Sequence, residues 1–186
     1  MVLQTLVLSF WLFIPAYVAN PAAVIFGGGA PVDLGKRWKD GRRLFGEGKT
    51  WRGLLGGGFS GVFVGILQWA SLMPWGGSPF SHGSFPQFLG LVAALSFGAL
   101  LGDLLGSFIK RRLGIEKGHK APVLDQYDFV LGAFLLTGAL YPGWTIAHYL
   151  SGEALLGLLL IVGVTPLLHR AVNLVGYRIG KKEVPW

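Results

Sequence analysis

Long apolar stretches, separated by short polar or glycine-rich segments, make up most of this 186-residue chain. A helix needs about 20 mainly apolar residues to cross a hydrocarbon core of about 30 Å. Five stretches reach that length: 2–26, 54–73, 85–109, 129–150 and 154–174. The pattern therefore predicts an all-α integral membrane protein with five transmembrane helices, in which residues 1–186 form a single membrane-embedded domain.

The composition agrees with this class of protein. The chain is 52% hydrophobic and 13% charged, and its mean hydropathy is +0.56. No Lys or Arg precedes the first apolar stretch, which is longer than the apolar core of a signal peptide, so we interpret it as a retained span. Pro15 and Pro21 predict a kink or an early end within that span. The chain has no cysteine, which excludes disulfides and thiolate chemistry.

The positive charge is distributed very unevenly. All sixteen Lys and Arg residues fall within 36–52, 110–120 and 170–182, whereas the connections 74–86 and 151–153 contain none. The positive-inside rule then places the N-terminus outside, the C-terminus in the cytoplasm, and two functional loops, about 27–53 and 110–124, on the cytoplasmic side. The net charge of +7 on this face suits anionic lipid or a polyanionic substrate such as a nucleotide. Nucleic acid is disfavoured, because no binding module is present.

The first loop contains two partial motifs. "GEGKT", Gly46–Thr50, resembles the end of a nucleotide-binding P-loop, but Arg43 stands where the earlier glycine is required. Lys49, Thr50 and Arg52 either contact phosphate or belong to a solvated loop. "DGRR", residues 40–43, resembles the opening of the CDP-alcohol phosphotransferase signature, but the paired aspartates that should follow are missing.

The aromatic residues of the first loop give a further prediction about its position. Trp38, Phe45 and Trp51 are interspersed with the basic residues. This arrangement favours a segment folded against the membrane or against the helix bundle.

The strongest candidate site begins at Asp103, within the third apolar stretch. Asp103, Ser107, Lys110 and Arg111 are spaced i, i+4, i+7 and i+8, which places them on one face of a helix. An ionisable residue near the inner edge of the hydrocarbon layer is costly unless it is paired or solvated, and it is a functional-site hypothesis by default. The alternative is an internal salt bridge from Asp103 to Lys110 or Arg111.

Two further carboxylates, Asp125 and Asp128, lie at the start of the fourth span. They serve either as helix N-terminal caps or, together with Asp103, as ligands for a hard divalent cation that also binds phosphate oxygens. Two other polar residues are ambiguous. His119 is either a phosphate ligand or base, or an exposed loop residue, and Asn20 binds a ligand or caps a helix.

These residues resemble a known signature. Gly102-Asp103, Ser107, Lys110-Arg111, Pro122, Asp125 and Asp128 occur in the order that is typical of CDP-diacylglycerol synthases. The chain departs from the bacterial pattern at Val123-Leu124, where a glycine-rich segment is usual, and at Gln126, where an Arg is usual. The short length, the five spans and the first loop, with "FGGGAPVD" and "DGRRLFGEGKTWRG", resemble the archaeal branch of that superfamily, the CDP-archaeol synthases.

The resemblance implies a magnesium-dependent cytidylyltransferase in the cell membrane, with its active site facing the cytoplasm. It would convert CTP and 2,3-bis-O-geranylgeranyl-sn-glycerol 1-phosphate to CDP-archaeol and pyrophosphate. The implied metal ligands are Asp103, Asp125 and Asp128, and the implied catalytic residues are Asp103, Asp125 and Lys110. The implied substrate-binding residues are Asn20, Asp33, Arg43, Gly46, Gly48, Lys49, Thr50, Arg52, Ser107, Lys110, Arg111 and His119.

Three alternatives remain open at this level. A CDP-diacylglycerol synthase acting on diacyl phosphatidate would use the same chemistry. A small anion transporter would place charges near the membrane midplane, often within inverted repeats, and neither feature is found. A non-enzymatic scaffold would use its basic loops to bind anionic lipid.

Overall fold

The computed structural model describes residues 2–72, 84–116, 118–181 and 184–185. Residues 73–83, which hold most of the predicted uncharged connection 74–86, lie outside the described residues. The helices are α1 (Val2–Phe26), α2 (Trp51–Leu72), α3 (Phe85–Arg112), α4 (Pro122–Leu140), α5 (Pro142–Thr145) and α6 (Ala154–Arg178), with a π-helical turn at Ile146–Leu150 between α5 and α6. The described residues contain no β-strand, and two isolated β-bridges lie between α1 and α2.

Five of these helices, all except α5, are long and apolar enough to cross a membrane. This confirms the predicted all-α fold with five candidate spans. Pro15 and Pro21 both lie inside α1, which continues to Phe26, so the helix does not end early. At the far ends of their spans, α3 and α6 run three and four residues beyond the predicted limits of 109 and 174.

The fourth span differs most from its predicted limits of 129–150. Its helix begins at Pro122 and ends at Leu140. Pro122 suits the first turn of a helix, where a missing N–H has no intrahelical partner to lose. Tyr141 precedes Pro142 and leaves the helical region, with φ −133° and ψ 57°, because a residue before proline disfavours the α conformation. The remaining apolar residues form α5 and the π-helical turn.

The core lies where α1, α3, α4 and α6 meet. Phe13 is fully buried and packs against Phe134, with ring centroids 5.0 Å apart. Tyr149 of the π-helical turn is also fully buried, and its hydroxyl donates to the backbone oxygen of Ser9 at 2.9 Å. Large apolar side chains on the outer faces remain exposed, such as Leu167 at 71%. Helices surrounded by lipid are expected to have such faces, since lipid tails are as apolar as the side chains.

Glycines bring α3 and α4 into close contact. Gly98, Gly102 and Gly106 are spaced four residues apart and therefore share one face of α3. A Cβ atom added to Gly102 would lie 2.8 Å from the Cα of Gly132 on α4. Small residues at this spacing allow membrane helices to approach at backbone distance. The close approach brings Asp128 on α4 to the end of α3 that carries Asp103.

Candidate active site

A cavity of about 590 Å³ lies at the end of the bundle where α1, α3 and α6 finish and α2 and α4 begin. We call it the end cavity. Its walls come from these five helices, from the first loop, which occupies residues 27–50 in the structure, from the second loop and from residues after the end of α6. Twelve of the predicted site residues line it: Asn20, Gly46, Gly48, Lys49, Thr50, Asp103, Ser107, Lys110, Arg111, His119, Asp125 and Asp128.

Asp33, Arg43 and Arg52 were predicted to bind substrate, but they are not among the residues that line the end cavity. Asp33 and Arg43 bind each other within the first loop instead of facing the cavity, with Arg43 Nη2 2.6 Å from Asp33 Oδ1. Arg52 is largely exposed and lies beside Gly29.

Asp33 organises the first loop from within. Its side chain is fully buried, and besides Arg43 it accepts hydrogen bonds from the backbone amides of Gly35, Phe45 and Gly46. Burial by itself would raise the pKa of this carboxyl, but the Arg43 guanidinium and the three amides outweigh burial and hold the pKa well below its usual range. The carboxylate is therefore charged, and it fixes the segment that leads into Lys49.

The first loop is clasped to the end of α3 by two arginines. Arg42 donates to the backbone oxygens of Arg111 and Arg112, at 3.2 and 3.1 Å. In return, Arg112 donates to Asp40 at 2.7 Å and to the backbone oxygen of Arg43 at 2.6 Å. Bonds to the last helical carbonyls satisfy groups that a helix leaves without partners.

Aromatic contacts also hold the first loop against α3. Trp38 and Phe45 both pack against Phe108 of α3, with ring centroids 5.5 and 6.4 Å apart. This confirms that the first loop folds against the helix bundle.

Two ion pairs cross the end cavity. Lys49 Nζ lies 2.5 Å from Asp103 Oδ2, and Lys110 Nζ lies 2.5 Å from Asp125 Oδ1. The sequence alternative that paired Asp103 with Lys110 or Arg111 of its own helix is wrong. Lys110 instead reaches across to α4, while the first loop supplies the partner for Asp103.

The carboxylates of α4 have different surroundings. Asp125 Oδ2 accepts the amide of Ala121 at 2.9 Å, so Asp125 also stabilises the start of α4. Asp128 Oδ1 accepts the amide of Phe129 at 2.7 Å. The other oxygen of Asp128 is buried and has no hydrogen-bond partner in the described structure.

A divalent cation is implied by the carboxylates but is not shown by the geometry. Among the described residues, no three Asp, Glu, His or Cys side chains form a group that could hold a metal ion. The chemistry of the donors nevertheless fits a hard cation, since Asp103, Asp125 and Asp128 supply carboxylate oxygens to one cavity. The unpartnered oxygen of Asp128 supports this fit, because a buried carboxylate oxygen without a partner is costly.

Thr50 has a structural role as well as a place in the cavity wall. Its Oγ1 accepts the amide of Gly53 at 3.1 Å and so caps the start of α2. The N-terminal end of a helix carries partial positive charge and exposed amides, which favour anions. Together with the neighbouring Lys49, this end of α2 makes the wall suitable for phosphate.

His169 and Asn173 of α6 were not predicted as site residues, yet both line the end cavity. The Asn173 amide nitrogen lies 3.2 Å from each ring nitrogen of His169. Asn20 of α1 lines the same cavity, with a buried Oδ1 that has no hydrogen-bond partner among the described residues. His169 and Asn173 could have been recognised from the sequence, because two polar residues spaced i, i+4 near the end of an apolar span indicate a functional site.

The chain matches known proteins over nearly its whole length. The family model of CarS-like CDP-archaeol synthases matches residues 2–186. A CDP-archaeol synthase of Methanoculleus marisnigri is 52% identical over 176 residues, which cover 93% of this chain and 99% of that protein. The enzyme of the same name from Pyrococcus horikoshii is 44% identical over the full length of both chains.

A solved structure gives the same result. It is described as an intramembrane enzyme for archaeal membrane lipids biosynthesis, and it superposes with a TM-score of 0.60 at 40% identity. The match covers 83% of this chain and 90% of the other. The chain belongs to the CDP-archaeol synthase family.

Proposed function

We propose that this protein is a cytidylyltransferase that makes CDP-archaeol. It transfers the CMP moiety of CTP to the phosphate of 2,3-bis-O-geranylgeranyl-sn-glycerol 1-phosphate, and pyrophosphate is released. Relatives named CDP-archaeol synthase that match over nearly the whole chain support this activity. The observation that carries the proposal is one cavity in which three carboxylates meet Lys49, Lys110 and Arg111 at the end of a bundle of membrane-spanning helices.

The positions of the cationic side chains suit the binding of a triphosphate. Lys49 of the first loop and Lys110 of α3 enter the cavity from different elements, so they could bind phosphate groups from two sides. The Nε of Arg111 is buried without a hydrogen-bond partner in the described structure, which leaves a donor for a phosphate oxygen. His119, Ser107 and the backbone of Gly46 and Gly48 complete the walls that face the nucleotide.

The reaction requires positioning and charge neutralisation more than proton transfer. An oxygen of the lipid phosphate attacks the α-phosphorus of CTP, and the bond to the bridging oxygen of the pyrophosphate breaks, so that pyrophosphate leaves with the bonding electrons. The attacking oxygen is already ionised at neutral pH, and no covalent enzyme intermediate is needed. Lys49, Lys110 and Arg111 would hold the phosphates in line and stabilise the charge that develops on the leaving group.

Asp103, Asp125 and Asp128 are the residues that would hold Mg²⁺. When bound, the ion would supply further neutralisation of the triphosphate and of the departing pyrophosphate. Asp33, Arg43 and Arg52 were expected to bind substrate directly. We now assign Asp33 and Arg43 to holding the loop that presents Lys49, and we assign no contact to Arg52.

The proposed orientation follows from the distribution of charge. The end cavity opens among the three basic segments, so the positive-inside rule would place it on the cytoplasmic side, with the N-terminus outside. Soluble CTP would then enter from the cytoplasm, and the isoprenoid chains of the lipid would stay in the bilayer. The whole chain, residues 1–186, would act as one multi-pass membrane domain of the cell membrane.

Pyrophosphate release tests this function directly. Purified full-length protein in detergent would be given CTP and Mg²⁺ with the unsaturated diether phosphate, with diacyl phosphatidic acid, or with no lipid. We expect release that requires both CTP and the diether lipid. Equal release with the diacyl lipid would instead identify a synthase without preference for the archaeal lipid, and no release from folded protein would overturn the enzymatic proposal.

A further inference from the structure

We propose that Lys49 and Lys110 are tethered counter-cations, which hold the carboxylates of the end cavity until a divalent metal and CTP enter together. In this proposal the two ammonium groups exclude free divalent metal from the empty site, and they move to the phosphates when the nucleotide binds. The inference rests on the proposed function, because it assigns a second role to side chains of the same site.

The ion pairs and the proposed metal would compete for the same oxygens. Each lysine lies 2.5 Å from a carboxylate oxygen of Asp103 or Asp125. Mg²⁺ binds carboxylate oxygens at about 2.0–2.1 Å, so a metal on that oxygen would also face the ammonium group at close range. Like charges repel strongly at such distances, most of all where water is partly excluded. The four side chains of the two pairs are only 15–28% exposed.

The balance of charge favours entry of metal and nucleotide together. The carboxylates that line the cavity outnumber its lysine and arginine side chains by one: they are Glu47, Asp103, Glu116, Asp125 and Asp128, against Lys49, Lys110, Arg111 and Lys181. A divalent cation alone would leave an excess of positive charge on this wall. A triphosphate that arrives with the metal brings negative charge for the released lysines to bind, so the metal and both lysines find partners.

The position of Lys49 allows the required movement. Lysine has a flexible four-carbon stem and a point charge, which can change partners without a fixed geometry. The backbone of Lys49 is held in place, because its oxygen accepts the amide of Val32 at 2.7 Å. The movement is therefore confined to the side chain of Lys49, which lies in the same cavity as the proposed phosphate site.

Binding of Mn²⁺ without nucleotide tests the proposal and does not depend on turnover. Free Mn²⁺ would be measured by electron paramagnetic resonance with purified full-length protein in detergent. The variants would be Lys49→Met and Lys110→Met, with Lys39→Met as a matched control. Lys39 lies in the same first loop and is exposed. Its substitution also removes one positive charge, but at a position that does not line the cavity.

We expect the wild-type protein to bind Mn²⁺ weakly alone and much more tightly with CTP. Without CTP, Lys49→Met should bind Mn²⁺ at least about tenfold more tightly than wild type, because a repelling cation has been removed. Lys110→Met should act in the same direction, and Lys39→Met should match wild type. Lys49→Arg keeps the charge and should keep weak binding.

Two results would overturn the proposal. One is wild-type affinity for Mn²⁺ that CTP does not change. The other is Lys49→Met protein that is folded by circular dichroism and binds Mn²⁺ no more tightly than Lys39→Met. If Lys49→Met does not fold, Lys110→Met decides by the same comparison. Pyrophosphate release by the wild type is measured separately, so a failure of the proposed reaction can be distinguished from a failure of this inference.

Discussion

Gly106 of α3 leaves the space that the side chain of Asp128 on α4 occupies. A Cβ atom at position 106 would lie 2.7 Å from the Cβ and 2.8 Å from the Cγ of Asp128. Contacts this short are not tolerated, so the carboxylate can stand in the end cavity because position 106 has no side chain. Helix packing and the arrangement of the acidic residues thus depend on the same position.

Gly106→Ala should therefore impair both stability and catalysis. The added methyl group has to displace Asp128 or separate α3 from α4, and overpacking of this kind costs about 1–3 kcal/mol. We expect a lower thermal unfolding midpoint and a lower kcat, measured in detergent by circular dichroism and by pyrophosphate release. Gly163→Ala on α6 is the control, since nothing lies within 4 Å of its added Cβ. Equal behaviour of the two variants would contradict the proposed role of Gly106.

Asp103→Asn and Asp125→Asn should each abolish turnover while the fold is retained. The substitution removes one charge with almost no change in volume, and loss of one charge-stabilising group costs about 10²–10³ in kcat in enzymes of known mechanism. Pyrophosphate release and circular dichroism would be compared with Glu153→Gln, an exposed carboxylate before α6. Near-normal turnover by either aspartate variant would remove that residue from the catalytic assignment.

Asp33→Asn should destabilise the first loop in a pH-dependent way. The native pKa of Asp33 lies below its unfolded value of 3.8, so its charge contributes stability that is present above that value and lost as the pH falls through the native pKa. At pH 7 we expect the variant to be less stable by about 2 kcal/mol, as for a buried hydrogen bond to a charged group. The difference in stability between the variant and wild type should become smaller as the pH falls below about 4, because the wild type then loses the contribution of the Asp33 charge.

Thermal unfolding between pH 7 and pH 3 would measure this difference. Glu153→Gln is a suitable control, because Glu153 is an exposed carboxylate that lies before α6, outside the first loop. If the difference in stability between Asp33→Asn and wild type stays constant down to pH 3, Asp33 does not stabilise the first loop through its charge.

Arg112→Gln should raise the KM for CTP more than it lowers kcat. Arg112 does not line the end cavity, but it holds Asp40 and the backbone oxygen of Arg43, and so joins the first loop to α3. Without Arg112, the loop that carries Lys49 would be free to move. This movement would weaken the binding of CTP more than it would disturb the groups that react. Steady-state kinetics would measure both constants, with Arg178→Gln, an exposed arginine at the end of α6, as the control. An unchanged KM would show that the contacts of Arg112 with the first loop do not position that loop for CTP.

The sequence by itself determined the class of protein and most of the candidate site. Five apolar stretches give five helices, because the length and apolarity of a stretch are local properties that decide whether it can cross a membrane. Asp103 was recognisable because a carboxylate in an apolar span is costly and therefore rarely without a role. Asp125 and Asp128 were recognisable because of their spacing and their place in a known signature.

The tertiary structure alone decided which side chains meet. Lys49 and Asp103 are 54 positions apart and come from a loop and a helix, so no periodic pattern could have paired them. The same holds for Asp33 and Arg43, which are ten positions apart in an irregular loop and pair only when that loop folds. Such pairings depend on how closely the helices pack and how the loop folds back, and these follow from contacts that form when the whole chain is assembled.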